Sequence, residues 1–295
     1  MLGEVLTAIV TPFRADGSVD VDAFRDLATH LVDHGSDGLV VAGTTGESPT
    51  LSDDEKLELF AAAVDAVGDR ATVIAGTGTY DTGHSAQLTA RAHDLGVDGF
   101  LAVTPYYNKP PQRGLVRHFA EIAAATDRPV VVYNIPSRVI VNIEPATMAR
   151  IADEIPNVTA VKQAHDDLDE ARFIAQETRL DLYSGDDPIT LDFLGLGGVG
   201  VVSVLAHVWG AQIKELIRRF ADGDADGARA LHEELGPAYE LLRIEVNPIP
   251  IKAALGILGH GVGGYRLPMV EPTGDGLERV RDCLVRGGIL QPASA

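Results

Sequence analysis

Near-continuous runs of apolar residues recur along the first part of the chain, as VLTAIV, GLVVAG, TVIAGT, GFLAVT, VVVYN, VTAVK, LDLYSG and GVVSV. Short runs without strict polar alternation predict strands buried on both faces, the pattern of a parallel sheet. Between them the period changes to that of a helix. SVDVDAFRDLATHLVDHG sets Val21, Phe24, Leu27 and Leu31 along one face and meets a stop at Gly35, and Ser52 with Glu55 forms the capping box of the next helix. Eight strand–helix units predict an α/β fold, a (β/α)8 TIM barrel over residues 1–224. A doubly wound open sheet is the competing arrangement. Over residues 225–295, ADGARALHEELGPAYELLRIEV and NPIPIKAALGILG continue as helix alone, which predicts a C-terminal helical region packed on the barrel.

In such a barrel the active site lies where strands end and the next loops begin. The residues at those ends are Thr11 and Pro12, GTTGES (43–48), GTGTYD (76–81), TPYYN (104–108), YNIPSR (133–138), Lys162, SGDD (184–187) and SVLAH (203–207). Lys162 is the unusual member. The 24 basic residues comprise only five lysines against nineteen arginines, and lysine rarely goes inside unless paired. A lysine amine normally titrates near 10.4, so about one in 2,500 is neutral at pH 7; a value near 7.4 leaves roughly a third neutral. The neutral amine attacks ketones to give a Schiff base, which guanidinium cannot do. The alternative is a lysine that snorkels to the rim or pairs with Asp186 or Asp187.

Around it, the GTTGE turn offers the hydroxyls and amides of Thr44 and Thr45 to a small carboxylate, although an ordinary strand-to-helix turn has the same look. Tyr133 ends the fifth strand, where a phenol could move a proton, and Arg138 offers a forked donor to a carboxylate. A buried aromatic and a surface ion pair are their plainer readings. Lys56 and Lys214 fall in charged helical stretches, Lys109 in a Pro-rich loop and Lys252 at a helix start, so structural roles are expected for all four.

Three other patterns lead nowhere on spacing. GLGGVG (195–200) precedes its strand, where a dinucleotide loop would follow one. His30 and His34 have the i, i+4 spacing of a zinc pair, but Leu31 stands where the metalloprotease motif has glutamate, so a solvated or packed pair is expected. Asp186, Asp187, Glu47, His165 and His207 could in principle gather around a divalent metal, yet Asp187 before a proline reads equally as a helix cap. No metal is expected.

Composition narrows the partners. A formal charge of -19, without a basic stripe, disfavours nucleic acid. The charge-free stretch from Phe193 to Ile213 is long enough for a membrane span, but five glycines, Ser203, His207 and Gln212 interrupt it, and no membrane association is expected. Cys283 alone can form neither an internal disulfide nor a thiolate cluster, and MLGEVLTAIV lacks a cationic n-region; both suit the cytoplasm.

In order along the chain, TAIVTPF, GTTGESPTLSDDEK, TPYYNKPPQRGL, YNIPSR, AVK, YSGDD, GVVSV, NPIPIKAALGILG and RLPM resemble the dihydrodipicolinate synthase/N-acetylneuraminate lyase family of pyruvate-dependent class I aldolases. The resemblance spans nearly the whole chain. It implies a Schiff-base lyase without cofactor, in which Lys162 joins pyruvate as an imine and Thr44 and Thr45 hold the pyruvate carboxylate. Thr44, Tyr107 and Tyr133 would relay protons, with Tyr107 arriving from a neighbouring subunit. Gly185 and Val202 would line the site through their backbone, and Arg138 would hold the carboxylate of L-aspartate 4-semialdehyde. The usual assembly is a homotetramer, a dimer of dimers. Arg138 separates the branch that makes lysine and diaminopimelate precursors from N-acetylneuraminate lyases and 2-keto-3-deoxy sugar acid aldolases, which share the lysine and are the alternative reading. Feedback-sensitive relatives carry histidine, asparagine and glutamate where this chain has Lys56, Tyr80 and His84, so inhibition by L-lysine is expected to be weak or absent.

Overall fold

In the computed structural model, which describes residues 1–291, the apolar runs form eight strands. They are β1 (Val5–Ala8), β2 (Gly38–Val41), β3 (Thr72–Gly76), β4 (Gly99–Val103), β5 (Val130–Asn134), β6 (Val158–Gln163), β7 (Asp181–Ser184) and β8 (Gly200–Ser203). All neighbours pair in parallel, and β8 closes on β1. The fold is therefore a TIM barrel.

One helical layer covers it: α1 (Val21–Asp33), α2 (Asp53–Val67), α3 (Thr82–His93), α4 (Gln112–Ala123), α5 (Pro136–Val139), α6 (Pro145–Glu154), α7 (Leu168–Glu177), α8 (Thr190–Gly195) and α9 (Ala206–Ala221). Four more follow, α10 (Ala225–Glu234), α11 (Gly236–Leu241), α12 (Ile249–Ile257) and α13 (Gly274–Arg286). The capping box of α2 is formed, Glu55 N donating to Ser52 Oγ and Ser52 N to the Glu55 carboxylate. On α1, Phe24, Leu27, Ala28 and Leu31 are buried, and Gly35 follows the helix with φ +110°. A Cβ at Gly35 would stand 2.8 Å from the Gly210 carbonyl carbon, so this glycine lets the end of α1 touch α9.

Strand alternation divides the core. Leu6, Ala8, Val40, Ile74, Leu101, Val131, Tyr133, Ala160, Tyr183 and Val202 point into the barrel, while Val5, Leu39, Val73, Phe100, Val132, Val161 and Leu182 meet the helices. Each fully buried branched or aromatic side chain contributes about 1.5–3 kcal/mol relative to exposure. The same two-residue period carries function, because Lys162 shares its parity with inward-facing Ala160 and opposes Tyr133 on β5.

The C-terminal helices return to the barrel mouth. Phe13 N donates to Val262 O, and residues 245–247 and 264–266 reach the loops after β2 and β5. Gly263, at φ +64°, could not carry a side chain without striking the Phe13 carbonyl.

Candidate active site

Lys162 is buried, 5% exposed, at the end of β6. Its Nζ lies 4.2 Å from the centroid of the Tyr133 ring, a cation–π distance set by the Tyr133/Lys162 register. Among the described residues it enters no ion pair, whereas Lys214 binds Glu4 and Asp37 and Lys252 binds Glu47. The pairing with Asp186 or Asp187 considered from sequence does not form. Desolvation at the cavity wall raises the Asp186 carboxyl above the usual range, and Arg243 and Lys162 pull it back. Asp187 is capped away: Ser203 Oγ, Val204 N and Leu205 N donate to it, and burial lifts it to about 6. It does not cap the short helical turn Asp187–Ile189 in which it lies, but pins the backbone between β8 and α9 instead.

Above Lys162 opens a cavity of about 310 Å³, walled by Thr44, Thr45, Tyr133, Arg138, Gly185 and Asn247 among others. A second hollow of about 210 Å³ adjoins it, sharing Thr44, Tyr133, Ile135 and Arg138 and extending past Ser48, Gly78 and Tyr106. Thr44, Thr45, Tyr133, Arg138, Lys162 and Gly185 are therefore brought together. A Cβ at Gly185 would come within 2.6 Å of Ala164 Cβ, so glycine is what allows β6 and β7 to end this close. Thr45 Oγ1 accepts from Asn247 Nδ2 at 2.9 Å, which leaves the Thr45 hydroxyl proton to donate into the cavity.

Two expected residues lie elsewhere. Val202 is packed in the barrel interior and Val204 takes the wall position after β8. Tyr107 is 90% exposed, on the loop after β4 at φ +70°, and lines neither hollow. Tyr106 stands in the wall instead, edge-on to Tyr80 at 5.3 Å between centroids, its phenol raised by burial.

Asn247 was not anticipated. It reaches the cavity from the C-terminal region, and its Oδ1 is buried without a hydrogen bond. The sequence signal is slight: an Asn before Pro-Ile-Pro in the C-terminal helical region.

Four of the five residues considered as a metal set are engaged in other contacts. Glu47 pairs with Lys252, His165 with Glu170, Asp187 with Ser203, and His207 accepts from Val10 N. His30 and His34 stack at 4.0 Å, the packed pair expected from their spacing, with His260 tilted against His30. No helix among the described residues is long and apolar enough to cross a membrane.

The closed parallel barrel and the lysine-floored cavity at its strand ends define an enzyme of the (β/α)8 class. Residues 1–286 match the model of the dihydrodipicolinate synthetase family. The chain belongs to that family and is a lyase. It is 52% identical to the 4-hydroxy-tetrahydrodipicolinate synthase of Moorella thermoacetica, over 98% of this chain and 99% of that one. Its structure is similar to the synthase from Cyanidioschyzon merolae with lysine bound, at a TM-score of 0.96 and 43% identity over 98% and 99% of the two chains. The chloride-inhibited synthase from Acinetobacter baumannii complexed with pyruvate matches at a TM-score of 0.94 and 35% identity, over 98% and 100%.

Proposed function

We propose that this chain is a 4-hydroxy-tetrahydrodipicolinate synthase that condenses pyruvate with L-aspartate 4-semialdehyde through an imine on Lys162. The observation that carries the reading is a buried amine that pairs with no carboxylate among the described residues, at the floor of a cavity whose wall holds Thr44, Thr45 and Arg138.

Lys162 Nζ attacks the pyruvate ketone, and water leaves as the protonated imine forms. Thr44 and Thr45 hold the carboxylate of the keto acid. The cationic nitrogen draws electrons from the adjacent methyl carbon, which gives up a proton to the Thr44–Tyr133 relay and becomes an enamine carbon. That carbon attacks the aldehyde, whose oxygen takes a proton from the relay. The amino group of the semialdehyde then adds to the imine carbon and displaces Lys162 as the ring closes. Arg138 orients the semialdehyde carboxylate with its guanidinium fork.

Tyr107 enters this scheme from a second copy of the chain, in a homotetramer of two dimers. Its exposure and its strained backbone support such a role, since the phenol is held outward into solvent at positive φ. The reaction belongs to cytoplasmic amino-acid synthesis and requires no cofactor.

The test is borohydride reduction with pyruvate followed by peptide mapping, alongside turnover with the semialdehyde, N-acetylmannosamine and glyceraldehyde. Modification at Lys162 and turnover of the semialdehyde are expected. Turnover with Lys162 unmodified, or of sugars alone, defeats the reading.

Feedback by L-lysine is weak or absent in this scheme. Lys56 is buried beside Asp53, and the Asp53 carboxylate is already engaged by His84 Nε2 at 2.8 Å. An incoming ammonium group meets a cation and an occupied carboxylate. Half-maximal inhibition by sub-millimolar L-lysine in a steady-state assay would contradict this.

A further inference from the structure

Both side chains of the Lys252–Glu47 ion pair are closed to solvent, and all three ammonium donors are used. Lys252 Nζ donates to Glu47 Oε1 at 2.7 Å, to Thr11 O at 3.0 Å and to Gly264 O at 2.6 Å. The other Glu47 oxygen accepts from Arg266 N at 3.1 Å. The rings of Phe13 and Tyr265 flank the ammonium, with centroids at 4.5 and 4.9 Å. One charged contact thereby ties three segments: the chain after β1, the GTTGE turn after β2 and the strap that follows α12.

Glu47 ends that turn in the left-handed region at φ +55°. A non-glycine residue stays there only where its surroundings over-determine it. Within the turn, Gly46 N and Ser48 N both donate to Gly43 O, Glu47 N donates to Thr44 O, and Thr11 Oγ1 donates to Gly46 O at 2.7 Å. Lys252 therefore holds the turn directly through Glu47 and again through the Thr11 carbonyl. Neither Lys252 nor Glu47 lines either hollow, so any influence on a ligand passes through Thr44 and Thr45. Folding alone does not call for such a pair, because apolar replacements of both members are often neutral or stabilising.

We propose that the buried Lys252–Glu47 pair is a positioning device for the keto-acid site, fixing the GTTGE turn so that Thr44 and Thr45 stand ready for the pyruvate carboxylate before it arrives. The inference rests on the pyruvate-imine reading above. It makes residue 252, which lines neither hollow, a determinant of pyruvate affinity, and it leaves the aldehyde end under Arg138 unaffected.

The test compares the parent with Glu47→Gln and with the charge-balanced double variant Glu47→Gln/Lys252→Met. Borohydride trapping at Lys162 across a pyruvate titration is read with steady-state constants for both substrates and a circular-dichroism melt. The half-saturating pyruvate concentration is expected to rise roughly 10- to 100-fold in both variants, the penalty of a misplaced binding group. Half-saturation by the semialdehyde at saturating pyruvate should stay within about twofold of the parent. Unchanged pyruvate dependence in either folded variant overturns the proposal, as does a matching loss in the aldehyde constant. Failure of both variants to fold assigns the pair to folding and overturns it too. A parent that traps no pyruvate sinks the function reading along with this one, whereas trapping that is the same in parent and variants sinks this one alone.

Discussion

Lys162 and Lys252 are hidden to nearly the same degree, 5% and 2% exposed, and both face an aromatic ring, yet their surroundings are opposite. Lys252 has a carboxylate and two carbonyls around its ammonium; Lys162 has an open cavity and no ion-pair partner among the described residues. Burial by itself therefore does not mark a reactive amine. What separates them is satisfaction: saturated donors hold architecture in place, and an amine with vacant directions is free to form a bond.

Replacing each lysine by methionine should divide these roles most sharply. Lys162→Met should lower kcat by about 10⁴-fold or more, since no other group forms the imine. The folded state should shift by no more than about 1 kcal/mol in a urea melt, because no carboxylate is left bereft. Lys252→Met should do the reverse in stability, losing about 3–5 kcal/mol as Glu47 is stranded in the interior. Equal stability losses in the two variants would erase the distinction.

Arg138→Leu tests the aldehyde side of the cavity. We expect kcat/KM for the semialdehyde to fall about 100-fold, with borohydride trapping of pyruvate retained. A smaller effect should come from acid. His207 accepts from Val10 N and its Nδ1 donates to Val204 O, which fixes a neutral ring beside the strand end that Lys252 grips, and burial holds it down at about 4 against 6.5 when unfolded. With the folded value depressed, the stabilisation is complete above 6.5 and is lost as pH falls toward 4. The loss should be roughly 1–3 kcal/mol across that window, read from urea melts, and reduced in His207→Gln.

The barrel was legible because every strand is a short apolar run bounded by turn residues, and Lys162 because its inward parity follows from counting along VTAVK. Thr44, Thr45, Tyr133 and Arg138 fell into the ring for the same reason, as residues at strand ends. Lys56 lies in a charged helical stretch, yet its side chain folds inward, and the charge pattern of α2 does not reveal which face turns to the barrel. The Lys252–Glu47 pair was missed because its members are 205 residues apart and Glu47 adopts a conformation that its residue type does not announce. A signal was present even so. Lys252 is the one charge in IPIKAALGI, and a lone cation in an otherwise apolar helix calls for a buried partner.

That separation has a consequence during synthesis. The ribosome makes Glu47 long before Lys252, and at 5–20 residues per second the gap of 205 residues lasts roughly 10–40 s. All eight strands have left the peptidyl-transferase centre by then, so a nascent barrel can close around a carboxylate whose cation does not yet exist. Translation, on this arrangement, supplies the partner of the GTTGE turn only after every strand of the barrel has been made.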